Sequence, residues 1–215
     1  MTRTAVFDLD GTLLDSAPDI HAALNRTLAA RGLAPYAMQE VVAMIGDGVQ
    51  VLITRALAGR GLPFDPAVLA AFMADDAISQ AQLTAPFPGI PEALAALEAE
   101  GWRLAICTNK PEGAARGLLA SLGIAGRFAA IGGGDSFPVR KPDPEHLRAT
   151  LAAAGGTADR AVMIGDHRND VQAAAGCGLP CVFVAWGYGP PEMADGNPVA
   201  ATPADLPALL ATLRA

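Results

Sequence analysis

The chain is 215 residues long, room for one large domain or a domain carrying a smaller insertion, and its 52% hydrophobic against 17% charged residues exclude a disordered chain. With 15 basic and 22 acidic residues the net charge is −7, and no Lys/Arg run stands anywhere, which excludes nucleic acid as the expected partner. A small anionic substrate stays open, because a bound cation or local backbone amides can dominate a cleft whatever the net charge.

The first apolar run, Thr4–Leu9, reads as a strand and leads into VFDLDGTLLDS, residues 6–16. Positions two apart in a strand share a face, so Asp8 and Asp10 project together. Like charges that close raise one another's pKa, and a proton, a cation or exposure to water must offset the repulsion. From Ser16 to about Thr84 the pattern is helical: Ile20, Leu24 and Leu28 share a face, as do Val49, Leu52, Ile53, Ala56 and Leu57, then Val68, Leu69, Phe72 and Met73. Gly32, Gly61, Pro63 and Pro66 supply the breaks, and PFPGIPE, residues 86–92, reads as a hinge. A helical insertion over residues 16–84 is therefore expected, folded over the edge of a core made of residues 1–15 and 85–215.

Beyond the hinge, helix and strand alternate. Strands are expected at Arg103–Thr108, Phe128–Ile131, Ala161–Ile164 and Cys181–Ala185; helices at Pro91–Glu100, Pro111–Leu122, Pro144–Ala154 and Arg168–Ala175, with Pro203 opening a last one after the cap-like Thr202. Such alternation predicts an α/β fold, a doubly wound parallel sheet with helices on both faces. The longest uncharged run, Val171–Pro191, is broken by glycines and prolines and is no membrane helix. Cys107, Cys177 and Cys181 have no disulfide-framework spacing, read as buried small residues and fit a cytoplasmic protein.

In open parallel sheets ligands bind beyond the carboxyl ends of the strands. Four such places here carry polar residues: Asp8 and Asp10; Thr108 and Asn109 in ICTNK; Lys141 in VRKPDPEHL; Asp166 and Asp170 in MIGDHRND. Singly each has a bland reading as a turn, a helix cap, a surface charge or a helix N-terminus. Together, several carboxylates, a lysine and a hydroxyl at one sheet edge call for a divalent cation and an anionic ligand.

The segments FDLDGTLLDS, CTNK, RKPDPEHL and GDHRND resemble, in order and spacing, the four motifs of the haloacid dehalogenase (HAD) superfamily of phosphotransferases. The resemblance implies a Rossmann-like core with an inserted helical cap of the first subclass. It also implies hydrolysis of a small phosphorylated metabolite through an aspartyl-phosphate: Asp8 as nucleophile, Asp10 as acid/base, Thr108 and Asn109 holding phosphoryl oxygens, and Lys141 stabilising their charge. Mg²⁺ would be held by the Asp8 side chain, the Asp10 carbonyl and Asp166, with Asp170 orienting Lys141 from behind.

Within that superfamily, IGDGVQVLITRAL, residues 45–57, is similar to a cap segment of the phosphoglycolate phosphatases, and GYGP, residues 187–190, to their closing segment. Asp47 stands where that segment usually has Asn. By this resemblance Arg55, the Gly46–Asp47–Gly48 loop and Lys110 are candidate substrate contacts. His167, where many relatives have Ser, is expected to be a solvent-facing residue at a helix start. Sugar-phosphate phosphatase, pyrophosphatase and phosphomutase share the chemistry and stay open, although DGT at residues 10–12 departs from the DGV common in sugar-phosphate mutases. A non-catalytic nucleotide- or partner-binding protein is the remaining rival, but GGGD at residues 132–135 lacks dinucleotide-loop spacing.

Overall fold

The computed structural model describes residues 3–213. After β1 (Thr4–Phe7) and the short β2 (Leu14–Asp15) come four helices, α1 (Ala17–Ala29), α2 (Met38–Val42), α3 (Val49–Ala58) and α4 (Pro66–Met73). The chain continues through β3 (Ala85–Pro86), α5 (Ile90–Ala99), β4 (Arg103–Cys107), α6 (Glu112–Ser121), β5 (Phe128–Gly132), α7 (Pro144–Ala153) and β6 (Ala161–Gly165). It ends with α8 (Arg168–Cys177), β7 (Cys181–Val184), β8 (Val199–Ala200) and α9 (Leu206–Thr212). A parallel six-stranded sheet has the order β5-β4-β1-β6-β7-β8. All five expected strands are in it, and the two-residue β8 is an addition too short for its sequence to announce. Pro203 opens a 3₁₀ turn, Pro203–Asp205, that runs into α9.

Strand alternation sorts the core into two layers. Ala5, Phe7, Leu104, Ile106, Val162 and Ile164 point to one face, where α5, α6 and α9 cover them. Val6, Ala105, Cys107, Met163 and Phe183 point to the other, against Leu147 and Leu151 of α7 and Ala173 and Ala174 of α8. Each fully buried large side chain among these contributes roughly 1.5–3 kcal/mol. The sequence turns β1 into the centre of the sheet, between β4 and β6, so the carboxyl end of β1 is the point where the strand order reverses. All three cysteines are free; Cys107 and Cys181 are buried and Cys177 is half-buried, its thiol donating to the Pro144 carbonyl.

The helices α1–α4 build a third cluster around Leu24, Leu28, Ile53, Leu57 and Phe72. Val49, Leu69 and Met73, expected on the same apolar faces, are only partly buried; Val49 and Met73 line a cavity beside the strand ends. Chain entry and exit lie side by side. Leu14 pairs with Pro86 and Asp15 with Ala85 in an antiparallel ribbon, and the Phe87 N–H donates to the Leu13 carbonyl. Just beyond, the buried Asp19 carboxylate accepts the N–H groups of Gln82, Leu83 and Thr84 and the Thr84 hydroxyl, at 2.7–3.1 Å. Among the described residues no helix is long and apolar enough to cross a membrane.

Burial opposes the charge on Asp19, but the Thr84 hydroxyl and the three backbone donors outweigh it and hold the carboxyl below its ordinary value of 3.8. Asp19→Asn should cost about 2–3 kcal/mol at neutral pH, since hydrogen bonds to a charged acceptor are worth roughly 1.5–3 kcal/mol. A depressed folded pKa gives stability that is present above the unfolded value and lost as pH falls through the folded one. Urea unfolding should therefore show the gap between wild type and variant at pH 7 narrowing below about pH 4. A gap that is absent at pH 7, or that widens in acid, would show that the clasp does not stabilise the fold.

Candidate active site

β1 does not end cleanly at Phe7: the Asp8 N–H still donates to the Ile164 carbonyl at 2.9 Å, so Asp8 leaves the sheet in register with β6. Its Oδ1 accepts the Leu9 N–H at 2.7 Å and lies 2.9 Å from the Lys141 ammonium. Asp8 Oδ2 has no hydrogen-bond partner among the described residues. A tight turn follows, with the Leu13 and Leu14 N–H groups on the Leu9 carbonyl. Gly11 takes φ +83° there, and a Cβ on it would run into Asp166 and Tyr188. The turn brings Asp10 back, where its Oδ1 accepts the Ser16 hydroxyl at 2.6 Å and the Lys110 ammonium at 3.1 Å.

Lys141 is buried and bridges two carboxylates, Asp8 at 2.9 Å and Asp170 at 2.6 Å. Burial alone would discharge it, but Asp170 and Asp8 together raise it well above the usual lysine range, so it stays an ammonium. Its backbone is fixed from both sides: the His146 Nδ1 accepts the Lys141 N–H at 3.1 Å, and the Asn109 side-chain amide donates to the Lys141 carbonyl at 2.9 Å. Burial, with Lys141 adding to it, pushes the His146 imidazole down to about 4, which keeps Nδ1 an acceptor and leaves Nε2–H for the Gly133 carbonyl.

At the end of β6, both Asp166 oxygens are held. Oδ1 accepts the Thr12 hydroxyl at 2.8 Å, and Oδ2 the N–H groups of Tyr188 at 2.8 Å and Gly189 at 3.3 Å. Even so, burial and then Asp8 push its carboxyl up to about 6. Asp8, Asp166 and Asp170 each offer an oxygen within 4.8 Å of the other two. Burial lifts Asp170 as well, with Lys141 opposing. Three buried carboxylates facing one ammonium are short of positive charge, and an all-oxygen donor set suits a hard divalent cation. Asp170 is paired with the Lys141 ammonium and accepts the His167 N–H at 3.0 Å, whereas Asp166 accepts only from neutral donors and Asp8 keeps Oδ2 unpartnered among the described residues, so Asp8 Oδ2 and Asp166 are the positions whose charge is least compensated.

The cap loop meets this site directly. The Gly46 carbonyl accepts the side-chain amides of Asn109 at 3.0 Å and Asn169 at 3.2 Å. Asp47 is shared between Asn169 at 2.8 Å and Arg55 at 2.5 Å. Burial works against its charge, yet those partners hold its carboxyl below the usual range. Arg55 also donates to the Met44 carbonyl. His167 does start α8, its Nδ1 accepting the Asn169 N–H, but it is not solvent-facing: it is buried, because the Gly46 backbone at φ +116° lies on its ring. Thr108 accepts the Lys110 N–H at 3.2 Å.

Two cavities share Asp8, Asp10, Ile45 and Gly46. The smaller, about 50 Å³, is walled by Thr108, Asn109 and Lys110 and by apolar side chains of the helical layer such as Leu52 and Phe72. The larger, about 430 Å³, is lined by Arg55, Asp166, His167, Arg168 and Tyr188. Thus Asp8, Asp10, Thr108, Asn109, Lys110, Lys141, Asp166 and Asp170 come together at one edge; Gly46, Asp47 and Gly48 close over it, and Arg55, paired with Asp47, lines the larger cavity with Asp8 and Asp166. Sequence reasoning gave no role to Thr12, Ser16, His146, Asn169 or Tyr188. Tyr188 follows β7, and the strand-end rule that singled out Asp8 would have reached it.

A protein-family model of haloacid dehalogenase-like hydrolases matches residues 2–178. A phosphoglycolate phosphatase of Cereibacter sphaeroides is 47% identical over 187 residues, 85% of either chain. Among solved structures, a predicted phosphoglycolate phosphatase from Haemophilus somnus superposes with a TM-score of 0.86 at 28% identity over 97% of both chains. CbbY from Rhodobacter sphaeroides, in complex with phosphate, does so at 0.79 and 26% identity over 96% of each chain. With the four motif segments gathered at the carboxyl edge of a parallel sheet and a family match over most of its length, the chain belongs to the haloacid dehalogenase-like hydrolases.

Proposed function

We propose that the protein is a Mg²⁺-dependent phosphatase of small phosphate monoesters, phosphoglycolate first among them, working from the cytoplasm with Asp8 as nucleophile. The carrying observation is the asymmetry of Asp8: Oδ1 is held by Lys141 and the Leu9 N–H, while Oδ2 is unpartnered among the described residues beside a cavity. A bound Mg²⁺, held by Asp8 and Asp166 with the Asp10 carbonyl, supplies positive charge that offsets the carboxylates and the phosphate dianion.

In the first step Asp8 Oδ2 attacks phosphorus, the P–O ester bond breaks, and Asp10 gives its proton to the leaving oxygen. In the second, Asp10 takes a proton from water, which attacks the aspartyl-phosphate and frees Asp8. Lys141 stays charged throughout and stabilises the phosphoryl oxygens, with Thr108 and the Asn109 amide beside it. Asp170 and His146 hold Lys141 in place. The segment 16–84 acts as a cap on a core of residues 1–15 and 85–215. The names of the relatives support phosphoglycolate.

Against a panel of phosphate monoesters, phosphoglycolate should exceed hexose phosphates in kcat/KM by about tenfold or more, since differences in the leaving group are read at the cap. Excess chelator should abolish turnover and Mg²⁺ restore it. Full activity in chelator would remove the metal from the reading, and a preference for hexose phosphates would remove the substrate.

Asp8→Asn should abolish the reaction of every ester alike. Asp10→Asn keeps the backbone carbonyl but loses the proton donor. An alkoxide whose conjugate acid has a pKa of roughly 15 needs that proton, whereas nitrophenolate at about 7 can leave without it. Rapid-mixing measurement of the first step should show the Asp10→Asn penalty smaller by about 10²–10⁴-fold on the nitrophenyl ester, with a burst of nitrophenol before slow turnover. Equal slowing of both esters without a burst would take the general-acid role from Asp10.

Asp47 joins Arg55 to Asn169 across the seam between cap and core. Asp47→Asn breaks the ion pair, so it should raise KM more than it lowers kcat and change the ranking of substrates. An unchanged ranking would show that this loop does not read the substrate.

A further inference from the structure

The segment after β7 touches two things that move separately in any account of a cap over a core. Through its backbone it holds a carboxylate: the N–H groups of Tyr188 and Gly189 both donate to Asp166 Oδ2. Through the tip of one side chain it holds the entrance of the helical layer. The Tyr188 phenol oxygen accepts the N–H groups of Ser16 and Ala17, each at 2.8 Å, and donates its proton to Asp15 at 2.8 Å. The Ser16 and Ala17 N–H groups open α1 and lie outside the helical ladder, and among the described residues the phenol is their acceptor. The ring packs edge-on against Phe87, on the returning arm of the same hinge, with centroids 6.3 Å apart.

We propose that Tyr188 is a positioning residue that couples the seating of the helical layer to the orientation of the Asp166 carboxylate. It rests on the reading of Asp8 and Asp166 as ligands of a divalent cation. A hinge movement that pulls Ser16 and Ala17 away breaks two hydrogen bonds to the phenol, and the strain is delivered one residue's length away to the donor on Asp166. Coupling of this kind is reciprocal: a cation that fixes Asp166 must seat the hinge by the same factor by which the seated hinge favours the cation.

The test needs no turnover. Hydrogen exchange of individual amides is followed in the wild type with and without Mg²⁺, and Mg²⁺ affinity is measured by calorimetry. Saturating Mg²⁺ should slow exchange of the Ser16 and Ala17 amides about fivefold or more. The Gln82 and Leu83 amides, held on the same hinge by Asp19, are the control for general stabilisation and should respond less. Tyr188→Phe keeps the ring and the backbone donors; it should exchange fast at both amides with or without Mg²⁺ and bind Mg²⁺ about fivefold more weakly. Mg²⁺ binding that leaves Ser16 and Ala17 unprotected in the wild type overturns the coupling alone, as does a Tyr188→Phe variant with wild-type affinity. A wild type that does not bind Mg²⁺ overturns the metal reading and the coupling with it.

Discussion

The buried ammonium of Lys141, between Asp8 and Asp170, is the charge about which the rest of the site is arranged. Removing an ion from water costs several kcal/mol, and only close opposite charge with satisfied hydrogen bonds returns it. Here the cost is met by assembling parts from distant places in the chain: β1 brings Asp8, α8 brings Asp170, and His146 and Asn109 clamp the lysine backbone. Because one ammonium cannot neutralise three carboxylates, the same arrangement that fixes Lys141 leaves a demand for further positive charge at Asp8 and Asp166. The fold therefore builds an anionic cradle next to a place meant for an anion, which is consistent only if a cation joins them.

The seam between the helical layer and the sheet is polar where it meets this cradle. Two core amides, Asn109 and Asn169, converge on one carbonyl, that of Gly46. Asn109 also donates to the Lys141 carbonyl, so the same side chain touches the cap loop and the central lysine. Asp47 takes the place of an amide in this seam without leaving a bare charge, since Arg55 and Asn169 share its carboxylate. Asp47 lines the larger cavity beside Arg55, which offsets its charge there, and not the smaller one.

What could be read in the sequence is what repeats with the period of a strand or sits at its end. Runs such as TAVF and RLAIC are buried on both faces and announce themselves as central parallel strands, and the polar residues at their ends stand out against them. Asp8, Thr108 and Asp166 could be placed at one edge on that basis. Asp19 could not, because it acts on backbone groups more than sixty residues away, and no local pattern marks an acceptor for Leu83; His146 reads as one more residue of α7, and only the fold sets its ring between the Lys141 N–H and the Gly133 carbonyl. His167 departs from the expected solvent-facing position for a related reason: its burial is caused by Gly46, more than a hundred residues earlier, whose lack of a side chain admits the ring.

The pairing of β1 has a consequence for how the chain reaches this state. β1 is made first, yet its neighbours begin at Arg103 on one side and Ala161 on the other, so the central strand has no partner until about half of the chain has been made and no second one until three quarters has. The helices α1–α4 face the opposite situation, for their contacts are largely among themselves and need only the segment up to Ile78. Loop closure over so many residues is slow compared with local helix packing. During synthesis the insertion is thus expected to be compact while the strand preceding it still waits. The ribbon of Leu14 with Pro86 then holds that waiting strand at the mouth of the insertion, close to where β4 will emerge.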